Sequence, residues 1–238
     1  MRRVPLCAYA FPVLAGVLFL FNSCSKKKDQ ESLVITPTTN PIQYSVLVYL
    51  MTPNDQTFNP DYYRAVKSTI LNIQDWYKTQ MGGKTFLMNP VVVDTLTGFH
   101  PTAWYRTDNG PGISGNSVQA YHNVVYELKQ LLGARYDTVH YDYMVWVPSD
   151  FPDETIPRGV GVEGLDNLNH LTQEYHDAWI GAAGHALGHS FGLPEVAVPN
   201  ADGIMSEGYP HYPNCVLQSF EKDSLNRSPF FQQVAQAP

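Results

Sequence analysis

The stretch GAAGHALGHSFGLPE, residues 181–195, decides how this chain is read. Small residues at Gly181, Ala182, Ala183, Gly184, Ala186 and Gly188 surround two histidines, His185 and His189, set four apart. On a helix, residues four apart lie about 40° apart around the axis and one turn above each other, so both imidazoles aim at one spot. That spacing suits two Zn–N bonds of about 2.0–2.1 Å to a single ion. Gly192 comes three residues later, where a glycine takes the left-handed conformation that ends a helix and turns the chain back. Glu195, three further on, offers a carboxylate able to bind zinc. The competing reading is that the small residues form a face for close helix packing and the histidines are hydrogen-bonded core residues.

Upstream, strand-like and helix-like segments alternate. IQYSVLVYLM, residues 42–51, is β-rich and mostly apolar, which predicts a buried first strand. From Pro60 to Met81, Tyr62, Val66, Thr69, Ile70, Ile73, Trp76 and Tyr77 recur at spacings of three and four, an amphipathic helix stopped by Gly82 and Gly83. TFLMNPVVVDTLTG, residues 85–98, is strand-like, with Pro90 pushing part of it toward an edge or a break. A Gly-, Pro- and Asn-rich loop over 99–115 precedes a second amphipathic helix, SVQAYHNVVYELKQLLG, stopped by Gly133. HYDYMVWVP, residues 140–148, reads as another strand, and RGVGVEGLDN, residues 158–167, as a Gly-rich loop leading to the histidine helix. Asp177 is expected to cap that helix. The alternation predicts an α/β fold with helices packed on one twisted sheet.

With 238 residues, 44% hydrophobic and 16% charged, the chain suits one globular domain. Its net charge of −7 excludes nucleic acid as an electrostatic partner. The first residues have a different character. MRR is a positive start, CAYAFPVLAGVLFLF an apolar run, and FNSC resembles a bacterial lipobox that ends on Cys24. The expected organisation is a signal peptide over 1–23, a lipidated Cys24 with a charged and Pro/Thr-rich tether over 24–41, and a domain over 42–238. Such a protein is held to the cell envelope by its lipid, on the outer membrane or cell surface, outside the cytoplasm, and works as a monomer. Of the three cysteines, Cys7 falls in the signal and Cys24 at the anchor, so Cys215 has no partner and the core must hold the fold without a disulfide.

His185-Ala-Leu-Gly-His189-Ser-Phe-Gly192-Leu-Pro-Glu195 resembles the metzincin zinc signature, HExxHxxGxx followed by His or Asp. Met205, in GIMSEGY ten residues beyond Glu195, resembles the methionine turn that underlies the metal in that clan. The resemblance implies a metzincin-like α/β fold: a twisted mixed sheet with packed helices, an active-site helix and a short C-terminal subdomain. It also implies zinc held by His185, His189 and Glu195, and a peptide or protein ligand in a cleft across the helix. Three positions depart from the pattern. Ala186 stands where the signature has its general-base glutamate, and Glu195 replaces the usual His or Asp. Tyr209 lies four residues after Met205, against two for the tyrosine that some metzincins place near zinc.

Zinc hydrolysis needs an acidified water, a polarised carbonyl and a base that moves the water's proton. Ala186 removes only the base, so the expectation is a zinc metallopeptidase-like protein with weak or lost activity. Glu163, Glu174 and Asp177 are the carboxylates whose chemistry would let them replace it. His170, His176 and His211 are read as solvated, and Asp150, Asp153 and Glu154 as an acidic surface loop. Two further readings compete: a non-catalytic surface module that binds protein or glycan, and a structural lipoprotein without metal.

Overall fold

The computed structural model describes residues 43–106, 119–150, 154–155, 158–173, 176–196 and 200–231. The signal-like segment, Cys24 and the tether lie outside these, as do Asp153, Glu174 and the side chain of Glu154. Five strands form one sheet in the order β2-β1-β3-β5-β4. They are β1 (Ser45–Thr52), β2 (Asp94–Thr97), β3 (Tyr141–Trp146), β4 (Glu154–Thr155) and β5 (Val160–Glu163). The first four in register, β2, β1, β3 and β5, are parallel, and β4 runs antiparallel along β5. This is the mixed sheet expected from the sequence.

Every residue of β1 is buried, because helices cover the parallel sheet on both faces. Val46, Val48 and Leu50 point to one side, where they meet Val66, Ile70, Ile73 and Tyr77 of α1 (Pro60–Gln80) and Ile180, Ala183 and Leu187 of α4 (Asp177–Ser190). Leu47, Tyr49 and Met51 point the other way, toward Val124 and Leu128 of α2 (Gln119–Leu132). The period of two along β1 thus divides the apolar residues between two cores. α1 begins where Asn59 accepts a hydrogen bond from the Asp61 N–H, and ends at Gly82 and Gly83, both at positive φ. Two short helices, α3 (Leu165–Leu171) and α5 (Ser219–Arg227), complete the described elements with a few 3-10 turns.

The break expected at Pro90 is present, and three other expectations need correction. Within 85–98 only Asp94–Thr97 runs as a strand; Met88 makes an isolated bridge to Val46, and the chain breaks around Pro90, which has no N–H to give a ladder. The Gly-rich segment 158–167 is not a loop but β5 and the start of α3. Its glycines mark close approach instead: a β-carbon on Gly161 would stand 2.6 Å from Met144 Sδ and 3.5 Å from the Ala186 carbonyl oxygen. Within the loop 99–115, Thr102–Arg106 is a 3-10 helix. Its buried Tyr105 donates to the buried Glu127 of α2, as do the N–H groups of Phe99 and His100. Finally, Asp177 does not cap α4. His176 occupies the cap position, and Asp177 falls one residue later, where its charge favours the N-terminal dipole without a capping bond.

Candidate metal centre

α4 is built from residues too small to keep neighbours away. A β-carbon on Gly184 would meet Ile204 Cδ1 at 3.2 Å, and one on Gly188 would meet Met205 Sδ at 2.3 Å. Tyr77 Oη, from α1, donates to the Gly184 carbonyl at 3.0 Å. Met205, fully buried, therefore sits directly against the turn of α4 that carries His185 and His189. Close packing and a ligand face coexist on this helix, on different sides of it.

On the other side the histidines converge. His185 Nε2 and His189 Nε2 are 3.0 Å apart, and Glu195 Oε2 lies 3.1 Å from the second and 3.4 Å from the first. Gly192, at φ +90°, ends α4 and turns the chain so that Glu195 comes back to the helix. Leu193 N–H closes that turn on the Gly188 carbonyl at 3.0 Å.

The outer nitrogens fix the rings. His185 Nδ1 lies 2.7 Å from the Ile204 carbonyl oxygen, and His189 Nδ1 lies 2.9 Å from that of Leu193. A carbonyl only accepts, so Nδ1 carries the proton in both rings and both Nε2 lone pairs face inward. Two such lone pairs cannot bond to each other; a shared cation reconciles them. Burial holds the His185 imidazole below its ordinary pKa; the Ile204 carbonyl pulls it up, His189 pushes it down and Glu195 raises it. The neutral form favoured by burial is the one that binds metal. Around a tetrahedral zinc ion, with bonds of about 2.0–2.2 Å, ligand atoms stand about 3.3–3.6 Å apart. The observed triangle, 3.0, 3.1 and 3.4 Å, is close to that size. The donor set and its spacing fit zinc.

Two hollows flank the triad, sharing Tyr209 and Pro210. One, of about 410 Å³, is lined by His185 and Ala186 with Ala178, Trp179, Ala182 and Glu163. The other, of about 430 Å³, is lined by Glu195, Val196, Ser206 and Glu207. The Tyr209 ring lies 5.3 Å from that of His185, so the residue whose spacing departs from the pattern still borders the site. The remaining histidines do not join it. His170 stacks on Trp179 at 4.1 Å, His211 Nδ1 contacts the Ala201 carbonyl at 2.9 Å, and His176 occupies the N-cap position of α4 without a side-chain capping bond. Asp150 is exposed beside Arg106, and Asp177 is exposed in the first turn of α4. Trp179 and Pro210 carry no motif that would have marked them as walls of this cleft.

The fold is α/β, and among the described residues His185, His189 and Glu195 form a group able to hold a metal ion, with one ligand atom of each within 4.8 Å of the others. No family model matches the chain. Among solved structures it is similar to wild-type OgpA from Akkermansia muciniphila, with a TM-score of 0.61 and 16% identity, over 80% of this chain and 62% of that one. It is also similar to catalytically inactive OgpA in complex with an O-glycopeptide (glycodrosocin) substrate, with a TM-score of 0.59 and 17% identity, over 82% and 64% of the two chains. The chain thus spans less than two thirds of OgpA. Archaemetzincin from Methanopyrus kandleri overlays only at a TM-score of 0.40, with 15% identity. A 53-residue stretch is 40% identical to Delta(8)-fatty-acid desaturase 1 of Arabidopsis thaliana, covering 21% of this chain and 12% of that protein. So short a match assigns no activity.

Proposed function

We propose that this chain is a zinc-dependent, peptide-binding protein of metallopeptidase type, in which His185, His189 and Glu195 hold the metal above Met205. One observation carries the reading: two inward-facing Nε2 lone pairs, locked by Nδ1–carbonyl bonds, meet a carboxylate oxygen within 3.4 Å. Zinc supplies Lewis acidity when bound, polarising a carbonyl and acidifying water. The chain's own residues do the rest. Tyr209 and Pro210 shape both hollows, and Trp179, Ala178 and Ala182 give one of them apolar walls for a side chain of the bound peptide. The O-glycopeptide bound to OgpA, a chain of similar fold, supports a peptide as the ligand. Ala186 brings no carboxylate to the site, so turnover is lower than it would be with an acid there.

Zinc analysis of the purified domain, followed by incubation with a mixed peptide library with and without chelator, tests this. Absence of zinc after chelator-free purification refutes the metal site, and a structural protein without metal becomes the better reading. Zinc without chelator-sensitive cleavage favours the second reading, a surface module that binds protein or glycan, for which Ala186 is the supporting observation. We further propose that Cys24 is lipidated and holds the protein, as a monomer, at the cell envelope. If Cys24→Ser leaves it in the same membrane fraction at the same apparent mass, the anchor is elsewhere.

A further inference from the structure

Long side chains on a helix lean back over the turn that precedes them. A carboxylate at position 186 would therefore lie over the turn from Ala182 to Ala186. That turn lines the 410 Å³ hollow beside His185, and alanine leaves the space open. A different acidic residue borders the same hollow. Glu163, the last residue of β5, is 1% exposed and forms part of its wall opposite α4. Two residues earlier, a β-carbon on Gly161 would lie at an ordinary contact distance of 3.5 Å from the Ala186 carbonyl oxygen, so β5 packs against this stretch of α4.

We propose that Glu163 stands in for the missing helix glutamate and is the base through which the remaining peptide hydrolysis runs. This rests on the zinc-dependent reading above. The Glu163 carboxylate takes a proton from the attacking water as the water oxygen bonds to the carbonyl carbon. The same proton passes to the amide nitrogen as the C–N bond breaks, so Glu163 ends as it began. Trp179, Tyr209 and Pro210 line the same hollow. Among the described residues, no other carboxylate lines this hollow with Ala186. Glu207 borders the opposite one with Glu195, and Asp177 is exposed on the first turn of α4.

The test compares four zinc-loaded proteins on a mixed peptide library: unmutated, Glu163→Gln, Ala186→Glu and the double variant. Circular dichroism and zinc content are measured for each. Glu163→Gln is expected to lower turnover about 10²–10⁴-fold, the range for a lost general base, with zinc content and fold unchanged. In the Ala186→Glu background the same change is expected to cost little, because the helix again supplies a carboxylate. Equal turnover by the unmutated protein and Glu163→Gln overturns the proposal. So does zinc-loaded, unmutated protein that cleaves nothing, an outcome that leaves the metal reading intact. Loss of zinc or fold in both Glu163→Gln backgrounds assigns Glu163 a structural role and likewise overturns it. Unmutated protein without zinc refutes the metal reading itself, and the Glu163 role falls with it.

Discussion

A β-carbon built on Gly181 would stand 1.9 Å from the backbone oxygen of Tyr209. α4 and the segment after Met205 therefore touch backbone to backbone, and this contact brings the Tyr209 ring to 5.3 Å from His185. Gly181→Ala cannot be absorbed by a rotamer change. It is expected to cost at least the 1–3 kcal/mol roughly typical of overpacking. Gly188→Ala meets the flexible thioether of Met205 at 2.3 Å and is expected to cost less. Denaturant midpoints of the two variants should fall in that order; a Gly181→Ala midpoint equal to that of the unmutated protein would contradict the contact.

Removing one ligand should remove the metal. His185→Ala and His189→Ala are each expected to reduce zinc from about one per chain to none, because two remaining donors hold the ion poorly. A ligand bound only by the folded state stabilises it, so chelator should lower the unfolding temperature of the unmutated protein. The same chelator should leave that of His189→Ala unchanged. A chelator response shared by both would place the metal elsewhere.

Restoring a carboxylate on the helix should raise catalysis. Residue 186 lies about 100° around the axis from His185, beside the ligand face and over the open hollow. Ala186→Glu is expected to raise turnover of the peptide library by less than the roughly 10²–10⁴-fold that a general base supplies, with zinc content unchanged. The increase should be smaller than the fall caused by Glu163→Gln if Glu163 already does much of the work. Elemental analysis and chelator-sensitive cleavage, measured on the same preparation, decide it.

Asp142 predicts a pH dependence of stability. Burial pushes its carboxyl up to about 8, opposed by a hydrogen bond from the Gly159 N–H, and Oδ2 has no hydrogen-bond partner among the described residues. The folded state thus keeps the proton that the unfolded chain releases above its ordinary value of 3.8. Between those limits the unfolded state binds fewer protons, so stability falls as pH rises, by up to about 1.4 kcal/mol per pH unit from this group. Asp142→Asn should flatten that slope and be the more stable protein at pH 8. Urea unfolding at about pH 5 and pH 8 checks it; parallel slopes for both proteins would mean that Asp142 ionises in the fold.

What the sequence determined by itself was local. Four-residue spacing placed His185 and His189 on one side of a helix, glycines at 82, 83, 133 and 192 marked turns that do adopt positive φ, and the β-rich, mostly apolar run in 42–51 produced a buried strand shared between two cores. Each of these depends on backbone geometry within a few residues. The tertiary structure decided what depends on distant partners. Gly161 and its neighbours read as loop until β3 and α4 supply the surfaces that a bare strand can approach. Tyr209 looked misplaced by its spacing, yet backbone contact with Gly181 carries it to His185. Glu163 was one of three candidates in the sequence; the sheet order puts the end of β5 against the open side of Ala186. No local periodicity encodes that meeting, because it follows from how the whole chain buries its two cores.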